Sequence, residues 1–137
     1  MDDEDAWLAR HGLWPDERGL DEVRALLAEQ IGLERESQGH GDTILMKLCC
    51  VQLFLAARPD DVLLIWSAKT ASWDADCSLD MELLCAAGLE ETKAYLSGHP
   101  AEESQAALKR LLHCEAAGQF DEFSPAERSA SYVAYYS

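Results

Sequence analysis

Hydrophobic positions recur with helical spacing over most of the chain. From Leu20 the apolar residues fall at 20, 23, 26, 27, 31 and 33 with Glu and Arg between them. That spacing predicts an amphipathic helix ending near Gln38-Gly39-His40-Gly41. Thr43 to Ala57 differs in kind, because Lys47 and Gln52 are the only polar residues inside a run of Ile, Leu, Met, Cys, Val and Phe. A helix apolar nearly all round must be covered on most sides, and Asp42 is placed to cap its start. Beyond Pro59-Asp60-Asp61, Val62 to Ala71 forms a second apolar segment. A short apolar run also suits a buried strand, but Ser67-Ala68-Lys69-Thr70-Ala71 and the lack of partner strands favour a helix.

Punctuation is cleaner in the second half. Ser78 is read as the cap of a helix over 79–87 stopped by Gly88, and Leu89 to Ser97 as another stopped by Gly98. Pro100 opens a longer helix with Glu102 and Glu103 early, Lys109 and Arg110 late, and Gly118 past its end, an order that complements the helix dipole. Ser124-Pro125-Ala126-Glu127 has the form of a capping box before a last helix carrying Tyr132, Tyr135 and Tyr136. The expectation is an all-α fold: one domain, residues 1–137, of six or seven short helices around a central apolar helical hairpin, with residues 1–5 a mobile acidic start. Leu83–Gly88 and Leu111–Gly118 echo each other, so stacked helical hairpins, solenoid-like, are the second arrangement to test.

Charge adds a map to this scaffold. The chain carries 26 Asp and Glu against 11 Lys and Arg, a formal net charge of −15. Residues 1–42 hold 12 acids and 4 bases, 43–72 hold 2 and 3, and 73–137 hold 12 and 4, giving −8, +1 and −8. The acids therefore belong to helices wrapped around an almost neutral middle. Nucleic acid is excluded as a simple partner, since duplex binding needs clustered Lys and Arg to displace counterions. An anionic membrane surface is disfavoured by the same sign. Disorder does not explain the charge, because 48% of residues are hydrophobic and a chain of this length buries a sizeable core without staples.

Five cysteines, at 49, 50, 77, 85 and 114, are an odd number with an adjacent pair in an apolar run. They read as buried thiols in a reducing compartment, which with the acidic start Asp2-Asp3-Glu4-Asp5 points to the cytoplasm. The 20 Ala, with abundant Leu, Glu and Arg, lean toward a bacterial source. No cysteine or histidine pair has the spacing of a zinc site. Asp74-Ala75-Asp76-Cys77-Ser78-Leu79-Asp80-Met81-Glu82 begins like a calcium loop but has Leu79 where that loop needs Gly and Cys85 where it needs Glu. The expectation is no metal and no cofactor, with Asp76 and Ser78 capping a helix and Asp80 and Glu82 in its first turn.

Trp73 beside Asp74, Asp76, Asp80 and Glu82 is the leading candidate for a protein contact, an aromatic anchor within a ring of charge. Lys47, Gln52 and Lys69 are expected to point out between neighbouring helices with snorkelling stems. Otherwise they floor a groove beside the hairpin lined by His40, Lys47, Lys69 and Cys77. In size, charge and compactness the chain is similar to small acidic bacterial proteins that neutralise a toxin by binding it. That resemblance implies a non-enzymatic immunity or antitoxin-type inhibitor of a basic effector such as a nuclease, carboxylates standing where phosphates would. A small helical enzyme or ligand-binding protein using the groove is the alternative, and a structural or adaptor domain the third.

Overall fold

The computed structural model describes residues 3–137, which form eight α-helices and two 3-10 turns with no strand among the described residues. Their order is α1 (Asp3–His11), α2 (Glu17–Glu36), α3 (Thr43–Ala56), a 3-10 turn (Pro59–Asp61), α4 (Val62–Lys69), α5 (Trp73–Ser78), a second 3-10 turn (Met81–Leu84), α6 (Leu89–Ser97), α7 (Glu102–Ala116) and α8 (Pro125–Tyr135). The all-α single domain expected from the spacing is what forms. Asp3, Glu4 and Asp5, expected in a mobile start, make the first turn of α1. Residues 1 and 2 of that stretch lie outside the described residues.

Sequence explains why α3 is central. Leu45, Met46 and every residue from Leu48 to Phe54 are buried, so α3 offers no broad solvated face. Around it pack α1, α2, α5, the Met81–Leu84 turn and α8. Its most extensive partner is α2, whose Leu20, Val23, Leu27 and Ile31 form one buried stripe. The other apolar helix, α4, packs against α2, α5 and α7. Asp42 caps α3 by accepting from Leu45 N at 3.0 Å and Ser124 caps α8, as their positions predict, and Asp16 caps α2.

Two polar residues depart from expectation and shape the core. Gln52 does not emerge between helices; it is fully buried, accepting from Trp7 Nε1 (2.9 Å) and donating to the Gly12 carbonyl (2.7 Å). Both ends of its amide are thereby partnered, which removes the cost of burying it and pins α1 to α3. Lys69 does not snorkel either. Its buried ammonium donates to the Asp76 carbonyl at 2.7 Å and to the Leu79 carbonyl, and pairs with Asp76 Oδ1 at 3.0 Å. Taking up these carbonyls at the end of α5 gives the chain a reason to stop being helical there.

The helix expected over 79–87 is accordingly replaced. Ser72, not Ser78, supplies the cap, accepting from Ala75 N at 3.0 Å, so α5 starts at Trp73 and Ser78 is its last residue. Leu79 and Asp80 are extended before the Met81–Leu84 turn. Buried Leu79, Met81, Leu83, Leu84 and Cys85 face the core without a helical period. The echo between 83–88 and 111–118 has no structural counterpart, since one is a 3-10 turn and the other the end of α7. The two share only the positive φ of their closing glycines, Gly88 and Gly118.

Asp76 couples this segment to α7. Arg110 donates to both of its oxygens, at 2.7 and 2.9 Å. The guanidinium, helped by Lys69 and against partial burial, holds the Asp76 carboxyl down at about 2, below the usual 3.8. A lowered folded value adds stability above pH 4 that is lost as pH falls from there toward 2. Asp76→Asn is therefore expected to destabilise the protein by about 2 kcal/mol at neutral pH. In urea denaturation the gap between variant and parent should shrink below pH 3.

Candidate functional site

Trp73, Asp74, Asp76, Asp80 and Glu82 do not form one exposed ring. Trp73 is 75% exposed, and Asp74 and Asp80 are exposed, but the other two carboxylates turn inward. Asp76 is engaged with Lys69 and Arg110, and buried Glu82 pairs with Arg128 of α8. Burial raises the Glu82 carboxyl, the Arg128 charge opposes it and Asp80 adds to the rise. Acids that tie elements together are not available to a partner. Trp73, Asp74 and Asp80 remain.

Trp73 is held out on a fixed frame. Buried Glu34 of α2 accepts through Oε1 from Gly39 N (2.8 Å) and Gly41 N (3.1 Å), and through Oε2 from the Ser72 hydroxyl (2.5 Å). Those bonds, the Ser72 hydroxyl first, lower the Glu34 carboxyl despite its burial. Gly41 permits the close approach, because a Cβ there would meet the Gln30 carbonyl at 2.8 Å. Ser72 in turn caps α5, while Gln38 Oε1 accepts from Asp74 N at 3.1 Å. One carboxylate thus links α2, the 37–42 loop and the first turn of α5.

Residues of the expected groove separate likewise. His40 is exposed in the 37–42 loop and Lys69 is buried. Lys47 and Cys77 both line a cavity of about 520 Å³ between the starts of α1 and α3 and the ends of α5 and α8. Ile44, Asp80, Tyr135 and Tyr136 share its lining, with Glu4 at the α1 side. Ile44 and Tyr135 are 62% and 70% exposed. Lys47 places its ammonium 5.6 Å from the Tyr135 ring centre, and Tyr136 packs edge-on against Tyr135 at 4.8 Å. Of the two tyrosines in α8, Tyr132 is buried edge-on against Phe54, whereas Tyr135 faces solvent. Trp73 lies one helical turn before Cys77 on α5, on the same side of that helix as the cavity wall.

Ile44 was not legible as a site residue, because in a helix apolar all round nothing distinguishes an exposed Ile from a core one. A second cavity, about 570 Å³, lies between the 118–124 segment and α8, lined by Glu82, Asp121, Glu122, Glu127 and Arg128. It is acidic but presents none of the large exposed apolar side chains. Among the described residues no three His, Cys, Asp or Glu are grouped to hold a metal ion, and no helix is long and apolar enough to cross a membrane. Compared with protein-family models, with curated proteins and with solved structures, the chain matches none.

Five free thiols give the site a built-in reporter. Burial pushes Cys49 and Cys85 up to about 12 and Cys50 well above its ordinary value, which keeps them protonated. Cys114 is also buried, and Cys77 alone is exposed. Native protein treated with maleimide is expected to label at Cys77 first and nearly exclusively, with all five labelling after denaturation. Peptide mapping by mass spectrometry checks it.

Proposed function

We propose that this chain is a non-enzymatic acidic protein-binding module of the cytoplasm whose partner is a basic protein, most concretely a cationic toxin that it neutralises. The observation that carries the reading is the clustering of exposed apolar side chains within an acidic surface. Of the five large hydrophobics most open to solvent among the described residues, Ile44 and Tyr135 line one cavity and Trp73 stands one turn from it, the others being Trp14 and Leu112. Scattered apolar residues are ordinary on a protein surface, whereas several around one concavity mark contact sites.

Charge supports the sign of the partner. Arg24, Arg58, Lys69, Lys93, Arg110 and Arg128 each pair with a carboxylate of this chain. The surplus negative charge is left to the exterior, where it steers a cationic protein inward and repels nucleic acid. Free thiols suit a reducing compartment. Against an enzyme stands the placement of the candidate groups: His40, Lys69 and Cys77 do not converge, and the buried thiols are held protonated.

Affinity capture followed by titration calorimetry tests this. A captured protein identified as basic should bind at least tenfold more weakly on going from low salt to ~0.5 M, and again on Asp74→Lys with Asp80→Lys. Both acids are exposed, and neither is a partner in the ion pairs of Asp76 and Glu82. A partner indifferent to salt and to the double reversal would sink the reading.

A further inference from the structure

The cavity at the ends of α5 and α8 holds one cation already, and that cation is the chain's own. Lys47 is half-buried, and its ammonium lies over the exposed face of Tyr135. An aromatic face attracts a cation through its quadrupole whichever chain supplies it. Around this contact are the apolar surface of Ile44 and Tyr136 and the carboxylate of Asp80, with Asp74 further along α5. A volume of about 520 Å³ lies in the range typical of ligand sites, ~300–1,000 Å³.

We infer that the cavity receives a cationic amphipathic segment of the partner protein, and that Lys47 is a placeholder for the partner's Lys or Arg on Tyr135. This rests on the reading of the chain as an acidic binding module. Apolar residues of the segment cover Ile44 and Tyr136 while its cation takes the Tyr135 face and faces Asp80. Lys47, on a long flexible stem, swings to solvent as the segment arrives. Charge selects this occupant over the others: a second copy of the chain brings its own −15, and an acidic or nucleic-acid segment meets the same repulsion.

The placeholder role makes a prediction opposite to that of a structural lysine. Lys47→Met removes a like charge and frees the ring, so a cationic segment should bind about three- to tenfold tighter. Ile44→Ser and Tyr135→Ser, both at exposed positions, should weaken it about tenfold, while Leu112→Ser on α7 changes nothing. The probe is a synthetic Leu/Lys peptide with helical spacing, read by fluorescence anisotropy at ~0.15 M salt and by protection of Cys77 from maleimide. A Ser/Lys peptide of equal charge and a Leu/Glu peptide of reversed charge serve as controls and should bind at least tenfold more weakly.

Protection of Cys77 with this order of affinities supports the inference. Leu/Lys binding that ignores Ile44→Ser and Tyr135→Ser and leaves Cys77 reactive overturns the groove while the acidic-module reading stands. Equal binding of the Leu/Glu peptide overturns the charge argument. Weaker binding by Lys47→Met overturns the placeholder. If neither the Leu/Lys peptide nor any basic protein binds, the inference and the module reading fail together.

Discussion

A helix with no solvated face sets the terms for the rest of this molecule. α3 is buried along nearly its whole length, and such a helix is stable in water only when other elements cover it on most sides. The amphipathic neighbours that do so turn apolar stripes inward and acids outward. The nearly neutral middle of the sequence and its two acidic flanks are the one-dimensional trace of that wrapping. Because α3 also carries Gln52, the wrapping includes a polar demand. Only an element bringing both a donor and an acceptor satisfies that amide, and α1, with Trp7 and the Gly12 carbonyl, brings both.

Lys69 plays the equivalent part in the second half. A buried ammonium needs oxygen ligands, and it finds them at the end of α5, where two carbonyls and the Asp76 carboxylate converge. This arrangement ends α5 after six residues and sends Leu79 and Met81 into the core in extended and 3-10 conformation. It also makes Asp76 a structural residue, shared between Lys69 and Arg110. Hence the most acidic stretch of the chain divides: some acids lock the fold and others face solvent.

Regular elements were legible in the sequence, and polar partners were not. The boundaries at Asp42, Gly98 and Ser124 follow from local capping chemistry, which depends on residues a few positions apart. The failures are all long-range. Whether Gln52 and Lys69 point outward or inward depends on Trp7, Gly12 and Leu79, which periodicity does not connect to them. Ser72 and Ser78 are equally good caps locally; the Glu34 carboxylate, 38 positions away from Ser72 in sequence, is one observed difference between them. The site shows the same split. Trp73 stands out in the sequence by its acidic neighbours, whereas Cys77 reads there as a buried thiol and is exposed on a helix that periodicity does not mark, and the meeting of Lys47 with Tyr135 joins distant parts of the chain.

The distribution of cations then explains how so acidic a protein stays folded and what its surface is left to do. Arg24 bridges α2 to Asp61, Lys93 bridges α6 to Glu115 of α7, and Arg110 bridges α7 to Asp76 of α5. Each joins elements that repulsion among acids would otherwise push apart. Breaking such a pair costs little where both partners are exposed and more where it leaves a buried charge alone, as at Asp61. Lys47 stands apart from this group, its ammonium set against an aromatic ring at the edge of a cavity. A ring contact is weak enough to exchange, whereas a buried carboxylate pair is not. Among the described residues Lys47 is thus a cation whose movement breaks no ion pair of the fold, and it sits beside the exposed side chains of Ile44 and Tyr135.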